Sequence, residues 1–298
     1  MTGDLTTETR NPATAHIDSA ETAEILEALY REDLVGVHAV RRAAATTARA
    51  VEETLRRVRA GGSIHYFGAG ASGRIAVLDA TEIRPTFGAP PGLFTAHFAG
   101  GSEALFDSSI DREDAEDSGG EDAAGLGPAS VAIGVTASGA TAYVTGALRE
   151  ARRLGALTVL ITCNPNAAAG EHAEITIVAD TGPEALTGST RLKAGTATKV
   201  LLNSFSTALM IRLGAVYSNL MVNLVPSNDK LRRRAVAVLT EATGLDEARC
   251  REMLERADGS TPVALVALLS GRGVDEARGA LDRSTGVRAA VELLRDTD

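Results

Sequence analysis

Aromatic residues are scarce in this chain of 298 residues, and basic residues are fewer than acidic ones. The chain has no tryptophan, and aromatic residues make up 3% of it, which disfavours the stacking platforms that bind single-stranded nucleic acids. Its 30 Lys and Arg are outnumbered by 39 Asp and Glu, giving a formal net charge of -9, whereas a nucleic-acid-binding domain usually carries a basic patch. We therefore expect no nucleic-acid partner. An anionic substrate is still compatible with this charge, because backbone N–H groups can bind a phosphate locally.

Cysteine and histidine are few and scattered. Cys163 and Cys250 cannot build a disulfide framework, which is typical of proteins in a reducing compartment. The five histidines show no HxxxH or HExxH spacing and neither cysteine belongs to a CxxC pair, so we expect no metal site. The N-terminus lacks the basic and then apolar pattern of a secretory signal. We expect a cytoplasmic protein.

No apolar run is long enough to indicate a membrane span. The longest apolar stretch, residues 200–225, is interrupted by Asn203, Arg212, Asn219 and Asn223. A span needs about 20 predominantly apolar residues with few or no charges. The stretch therefore predicts a buried core helix, and we expect no membrane partner.

Short β-prone runs alternate with helical segments in the middle of the chain. Apolar periodicity first predicts two or three helices in residues 14–60. A strand over 63–67 then leads into a glycine-rich loop and a helix that should stop before Pro85. Further strands are predicted at residues 94–98, 131–135, 157–163 and 173–179. This alternation predicts an α/β fold with a doubly wound parallel sheet.

The pattern divides the chain into three parts. Residues 1–60 are predicted to be a helical segment that packs on the core, and residues 61–228 to be the sheet domain. Helical segments broken by glycines follow, so residues 229–298 are predicted to form a small helical cap. Inside the sheet domain, the acidic stretch 107–127 is predicted to be a loop or a polar helix.

A glycine pattern follows the first predicted strand. Gly68, Gly70 and Gly73 spell GxGxxG, but a dinucleotide site also needs an Asp or Glu at the end of the second strand. The strand over 94–98 instead ends in Ala-Gly-Gly at residues 99–101. A Walker loop is excluded because the pattern lacks GK[ST]. We expect no nucleotide cofactor.

Hydroxyl side chains follow two of the predicted strands. Ser72 lies beside Gly73 in the first loop, and Ser138 and Thr141 flank Gly139 in the second. Free N–H groups at helix N-termini attract phosphate. The hydroxyls can alternatively be plain N-caps. We favour phosphate binding, because the carboxyl ends of parallel strands meet at the sheet edge where such folds bind ligands.

Several longer stretches match a known family pattern, namely residues 9–12, 68–74, 77–82, 85–88, 186–199 and 216–222. With the two hydroxyl-rich loops they resemble the sugar isomerase (SIS) fold and, more narrowly, the N-acetylmuramic acid 6-phosphate etherase family over essentially the whole chain. The resemblance implies cleavage of the D-lactyl ether of N-acetylmuramic acid 6-phosphate to N-acetylglucosamine 6-phosphate and D-lactate, in cell-wall amino-sugar recycling. It implies no metal and no nucleotide.

Elimination of an ether needs a base and an acid. In the open-chain sugar a base takes the C2 proton, an acid protonates departing lactate, and water then adds. The resemblance implies that Glu82, in the run Asp-Ala-Thr-Glu, is the general acid/base at the lactyl ether. It implies Glu113 as the second carboxylate if the preceding stretch is longer than in the family. Glu116, or a solvated acidic loop without a catalytic role, are the alternatives, and an ungapped match would put Ile110 there.

Other residues are predicted to bind the substrate. Glu184 is a candidate ligand for sugar hydroxyls, and Ser189 and Lys193 lie in the run 186–199 that carries the most specific part of the resemblance. Lys193 would neutralise phosphate or carboxylate, although Lys near a helix is more often a surface charge. One departure from the family pattern concerns the first loop, where Ala71 stands in place of a threonine.

The spacing of two site residues predicts a shared site. Ser72 and Glu82 are ten residues apart, about 15 Å of helix, which is longer than a hexose phosphate. We therefore expect a homodimer with the active site at or near the interface and Glu82 or Glu113 crossing over. Two alternative functions remain open: a non-catalytic phosphosugar-binding regulator and an aldose–ketose isomerase of the same fold.

Overall fold

A computed structural model describes residues 6–223 and 229–296. The chain forms two compact units, one made of Met1–Thr81 and Gly92–Ser206 and the other of Glu82–Pro91 and Thr207–Asp298. The division into residues 1–60, 61–228 and 229–298 stays a prediction, and residue 228 lies outside the described residues.

The first unit begins with short turns and two helices. Three 3-10 turns, Thr6–Glu8, Pro12–Thr14 and Ile17–Ser19, precede helices α1 (Thr22–Arg42) and α2 (Ala44–Arg59). The second turn is capped by Asn11, whose side-chain oxygen accepts a 2.9 Å hydrogen bond from the Ala13 N–H. Two α-helices thus lie within residues 14–60, where two or three were predicted.

The core of the first unit is a five-stranded sheet. Its strands are β1 (Ile64–Gly68), β2 (Phe94–Phe98), β3 (Val131–Val135), β4 (Leu157–Thr162) and β5 (Ile175–Val178). All pairs are parallel, and the spatial order is β2-β1-β3-β4-β5, a doubly wound order. The predicted α/β parallel sheet is confirmed, and all residues of β3 and β4 are buried, which fits the apolar sequence of β3 and the largely apolar sequence of β4.

Helices connect the strands of this sheet. They are α3 (Gly70–Phe87), α4 (Gly101–Phe106), α5 (Glu116–Ala123) and α6 (Ala142–Arg153), with α7 (Lys193–Arg212) after the last strand. The acidic stretch 107–127 contains both a loop and the helix α5. Close approach of α5 and α6 depends on glycine, because a Cβ at Gly119 would lie 1.9 Å from the Tyr143 carbonyl oxygen.

Helix α3 is longer than the sequence predicts. It begins at Gly70, inside the glycine loop, and continues past Pro85 to Phe87. Proline removes one hydrogen-bond donor, so Pro85 leaves the Thr81 carbonyl oxygen without its helical partner, and α3 ends two residues later. The side chains of Ile83 and Phe87 are buried, and burial of a phenylalanine contributes about 1.5–3 kcal/mol, which offsets the lost bond.

The prediction of one core helix over residues 200–225 is wrong. Helix α7 ends at Arg212, and an antiparallel hairpin of β6 (Val216–Tyr217) and β7 (Leu220–Met221) follows. Gly214 adopts a φ of +81°, a left-handed conformation that ends helices. Residues 224 and 225 of the predicted helix lie outside the described residues.

In the described part of the second unit, five helices follow this hairpin. They are α8 (Asp229–Thr243), α9 (Glu247–Arg256), α10 (Thr261–Ser270), α11 (Val274–Asp282) and α12 (Gly286–Arg295). Their apolar faces share one core, which includes Leu239, Cys250, Leu265 and Val287. Across residues 6–223 and 229–296, no helix has the length and apolar character that a membrane crossing requires.

Candidate functional site

The loop after β1 is shaped by two glycines. A Cβ on Gly73 would lie 2.6 Å from the Gly68 carbonyl oxygen and 2.7 Å from the Phe98 ring, so only hydrogen at this position lets the start of α3 pack on the end of β1. Gly70 adopts a φ of +52° and faces open space. Ser72 is the third residue of α3 and therefore not its N-cap. The first N–H groups of the helix have no partner within it.

The loop after β3 is shaped by hydroxyl groups. The Gly139 N–H donates to Thr136 Oγ1 at 3.2 Å, and Thr136 Oγ1 lies 2.8 Å from Thr141 Oγ1. The Asn164 amide donates to the Ser138 carbonyl oxygen at 2.9 Å. Thr141 occupies the N-cap position of α6, but its side chain makes no capping bond. The loop thus presents an ordered row of hydroxyls at the start of a helix.

Glu113 is attached to this second loop. Thr141 Oγ1 donates to Glu113 Oε1 at 3.2 Å, and the Glu113 carbonyl oxygen accepts a 3.0 Å bond from the Tyr143 N–H. Glu116, the alternative carboxylate, instead pairs with Arg149. Of the two, only Glu113 faces the loops.

Together the two loops form one wall of a cavity of about 370 Å³, a size that suits a small ligand. Register explains their proximity, since Gly68 of β1 pairs with Val135 of β3. Among the described residues that line the cavity there is no Lys or Arg. The lining residues are Glu8, Ala69, Gly70, Ala71, Ser72, Asp111, Glu113, Asp114, Thr136, Ala137, Ser138, Ala140, Thr141, Gly188 and Thr190.

Arg74 lines a smaller neighbouring cavity of about 190 Å³ that shares Glu113 with the first. Its guanidinium donates to the carbonyl oxygens of Ala104 and Leu105 at 3.1 and 3.0 Å and lies 5.1 Å from the centre of the Phe98 ring. These contacts fix the cation beside the first loop.

Two predicted binding residues are buried and bonded within the protein. Glu184 accepts hydrogen bonds from the backbone N–H groups of Lys193 and Ala194 at 3.1 and 2.9 Å, so it caps α7. Burial raises its pKa above the ordinary value, while those two N–H groups act in the opposite direction. Lys193 is 2% exposed and pairs with Glu32. Contact of Glu184 or Lys193 with a substrate stays a prediction.

Three other predicted residues lie near or apart from the cavity. Ser189 stands between the lining residues Gly188 and Thr190 but does not itself line the cavity. Gly139, with a φ of +75°, shapes the second loop, because a Cβ there would lie 2.1 Å from the Ala167 Cβ. Glu82 is exposed on α3, belongs to the second unit, and is not among the lining residues.

The motif that contains Glu82 also has a buried carboxylate. Asp79 is 2% exposed, and one of its oxygens accepts bonds from Asn203 Nδ2 at 2.6 Å and Ser206 Oγ at 3.0 Å. Its other oxygen accepts a 3.0 Å bond from the Tyr66 hydroxyl. Asp79 therefore holds α3 against β1 and α7, and this part of the motif is structural.

A histidine pair lies on the first two strands. His65 Nδ1 of β1 is 3.1 Å from His97 Nε2 of β2, and the His97 ring stacks on Phe67. Burial, helped by the charge of His97, lowers the pKa of His65 to about 4. Burial also lowers the pKa of His97, an effect that Asp122 opposes. In the described part of the chain, no group of three or more His, Cys, Asp or Glu is arranged to hold a metal ion.

Sequence reasoning missed Glu8. This carboxylate lines the cavity from the N-terminal segment, which reaches the wall formed by Gly188 and Thr190. The stretch 9–12, which matches the family pattern, begins one residue after Glu8. The sequence assigned no function to this N-terminal motif. Gly188 is a second sequence feature that could have indicated this contact, because a glycine leaves room for the Glu8 side chain. It adopts a φ of +77°.

The chain matches two protein-family models and superposes on a solved structure. A family model described as "Glucokinase regulatory protein N-terminal SIS domain" matches residues 46–152, and one described as "SIS domain" matches residues 113–208. A phosphoheptose isomerase structure from Francisella tularensis superposes with a TM-score of 0.50 at 15% identity, covering 64% of this chain and 100% of that one. The expected SIS fold is confirmed.

Curated relatives match the chain over most of its length. The N-acetylmuramic acid 6-phosphate etherase of Thermobifida fusca (strain YX) is 51% identical over 264 residues, which are 89% of this chain and 87% of the relative. The protein of the same name from Symbiobacterium thermophilum is 48% identical, over 90% of this chain and 89% of the relative.

Proposed function

Since the chain belongs to the N-acetylmuramic acid 6-phosphate etherase family, we propose that it is a carbon–oxygen lyase that cleaves the lactyl ether of N-acetylmuramic acid 6-phosphate. The products are N-acetylglucosamine 6-phosphate and D-lactate, and the process served is cell-wall amino-sugar recycling. The observation that carries this proposal is the high identity over nearly the full length, joined to a cavity that both strand-end loops line.

We assign the phosphate to the two loops. The start of α3 supplies N–H groups that lie before the first helical bond, which the Gly73 N–H makes to the Ala69 carbonyl oxygen, and the loop before α6 adds Ser138 and Thr141. Helix dipoles make both ends favourable for an anion. Ser72 also lines this wall, whereas Gly73 and Gly139 act by letting the backbone approach closely.

We assign the proton transfers to two carboxylates. Glu113 takes the C2 proton of the open-chain sugar, which is acidic because C2 lies next to the aldehyde. Glu82 protonates the ether oxygen as the C3–O bond breaks, and water then adds to C3. Thr141 supports Glu113 by donating a hydrogen bond to it. Each proton transfer contributes on the order of 10²–10⁴-fold to the rate.

We propose that Glu82 reaches the site of a second subunit in a homodimer. Leu78 and Glu82 are one turn apart on α3 and both are exposed, Leu78 by 52%. Ser72 and Glu82 lie ten residues apart on α3, about 15 Å of helix, which is longer than a hexose phosphate and favours a site shared across an isologous interface. We place the dimer in the cytoplasm, where a phosphorylated sugar is available and where the buried free thiols Cys163 and Cys250 stay reduced.

Mixing two inactive variants tests the shared site. Glu82→Gln and Glu113→Gln chains are unfolded, mixed and refolded together. If each site takes one carboxylate from each subunit, mixed dimers contain one intact site, and activity returns to about a quarter of the wild-type rate. No recovery in dimers that have exchanged subunits would overturn the sharing, as would a fully active monomer in sedimentation.

Lactate release tests the activity itself. The purified chain is incubated with N-acetylmuramic acid 6-phosphate and, as the matched control, with the unphosphorylated sugar. D-lactate from the phosphorylated sugar alone is the expected result. Tight binding of the phosphosugar without lactate would favour the alternative, a non-catalytic phosphosugar-binding regulator, for which the match to a regulatory-protein domain is the supporting observation.

A further inference from the structure

The N-terminal segment is fixed to the wall of the cavity. The Gly188 N–H donates to the Thr7 carbonyl oxygen at 3.1 Å, and Thr7 itself is fully buried. The next residue, Glu8, lines the cavity. A Cβ on Gly188 would lie 2.9 Å from Glu8 Oε2, so the glycine provides the space that this carboxylate occupies.

A buried ion pair anchors the same segment. Asn11 Nδ2 donates to Glu32 Oε2 at 2.8 Å and to the Pro183 carbonyl oxygen at 3.3 Å. The same Glu32 oxygen pairs with Lys193. Removing one partner of a buried ion pair is strongly destabilising, so the stretches around Asn11 and Lys193 hold each other firmly. The position of Glu8, three residues before Asn11, is therefore built into the fold.

The Glu8 side chain is exposed and lines the cavity. Within residues 6–223 and 229–296, its carboxylate has no hydrogen-bond or ion-pair partner. It differs in this from Glu113, which accepts a bond from Thr141, and from Glu184, whose oxygens are both occupied by backbone N–H groups. Glu8 is thus an unpaired acceptor in the wall of a ligand-sized cavity.

The negative charge of the Glu8 carboxylate determines which part of a ligand it can bind. A phosphate is attracted to the N–H groups at the starts of α3 and α6 and repelled by a carboxylate. An ionised carboxylate only accepts hydrogen bonds. The other end of an amino-sugar phosphate offers O–H and N–H donors. We propose that Glu8 is a specificity-determining residue that binds these uncharged donors. The proposal deepens the function proposed above and rests on it.

Comparing two ligands in one variant tests this role. For the wild-type chain and for the Glu8→Gln variant, the dissociation constants of N-acetylglucosamine 6-phosphate and of inorganic phosphate are measured by calorimetry. KM and kcat for lactate release are measured alongside. We expect Glu8→Gln to weaken the phosphosugar and raise KM by about 10- to 100-fold, the effect of losing bonds to a charged acceptor. Inorganic phosphate should bind as before or more tightly, and kcat should change little.

A matched control separates this role from a general loss of charge. Asp18→Asn removes the same charge from an exposed residue of the same segment, and we expect wild-type values for both ligands. Unchanged phosphosugar binding in Glu8→Gln would overturn the proposal, as would an equal loss for both ligands or a fall in kcat at constant KM. If the wild-type chain releases no lactate, the proposed function fails, while the two dissociation constants still decide the role of Glu8.

Discussion

The loops after β1 and β3 start side by side on the sheet, yet they are built from different groups. The first depends on glycine, because Gly73 and Gly68 let a helix start against a strand end, and it presents mainly backbone N–H groups. The second depends on hydroxyls, which link Thr136, Thr141 and Glu113. Two equivalent positions in one fold thus offer different groups to a ligand. In this fold the glycine motif indicates close backbone packing, and the hydroxyl motif indicates hydrogen bonding by side chains.

The largest expected effect concerns the carboxylate of the second loop. Glu113→Gln keeps the shape of the side chain and removes its ability to take a proton, so we expect lactate release to fall by about 100- to 10,000-fold. Activity and urea unfolding are measured together, and stability should be unchanged because Glu113 is exposed. Glu116→Gln is the control, since its exposed pair with Arg149 contributes at most about 1 kcal/mol. Equal activity losses in the two variants would contradict the assignment.

Gly73→Ala should give the next largest effect, by breaking the first loop alone. Its Cβ would lie 2.6 Å from a backbone oxygen, and overpacking of this kind costs about 1–3 kcal/mol. We expect weaker phosphosugar binding and a lower midpoint of urea unfolding. Gly125→Ala is the matched control, because nothing lies within 4 Å of a Cβ there. A Gly73→Ala chain with wild-type stability and binding would show that the close approach is not needed.

A smaller effect is expected from Thr141→Val, which alters only the second loop. The variant is nearly the same size and removes the donor to Glu113 and the partner of Thr136. Loss of such a bond costs about 0.5–1.5 kcal/mol, or about 2- to 12-fold, and we expect a decrease of this size in kcat. Thr145→Val serves as the control, because the Thr145 hydroxyl bonds only the helix carbonyl at Thr141. A wild-type kcat in Thr141→Val would remove this hydroxyl from the account.

The smallest expected effect is on stability, and it lies on the strand that carries the first loop. The folded state lowers the pKa of His65 to about 4, below the unfolded value of about 6.5, so it favours the neutral ring. The contribution to stability is complete above pH 6.5 and is lost as the pH falls towards 4. Allowing for the solvent that reaches both rings, we expect a loss of about 1 kcal/mol. The free energy of unfolding of His65→Gln, measured in urea across this pH range, should lack that part of the pH dependence. A pH profile identical to that of the wild-type chain would contradict the prediction.

Local sequence was enough to predict the sheet. Residues 94–98 and 131–135 were predicted as strands with the bounds that the structure shows, because short apolar runs between turn residues leave few other choices. Helix α3 was predicted too short, since the sequence rule for Pro85 does not include the burial of Phe87. The stretch 200–225 was misjudged because apolar residues suit a helix and a partly buried hairpin equally.

The site was harder to predict than the fold. Motif matching found Lys193 and Glu184 but could not indicate that one is buried in an ion pair and the other caps a helix. Glu8 was missed for the opposite reason. Nothing in the local pattern says that the N-terminal segment contacts Gly188, far along the chain. Long-range contacts of this kind are fixed by packing, which a single sequence does not display.

Product analysis in labelled water tests the central claim most directly. The chain is given N-acetylmuramic acid 6-phosphate in deuterated water enriched in oxygen-18, and both products are examined. If Glu113 removes the C2 proton and water adds at C3, N-acetylglucosamine 6-phosphate carries deuterium at C2 and oxygen-18 at C3, and lactate keeps its ether oxygen unlabelled. Oxygen-18 at C2 of lactate, with no deuterium at C2 of the sugar, would mean that the bond on the lactyl side breaks, and it would contradict the elimination route.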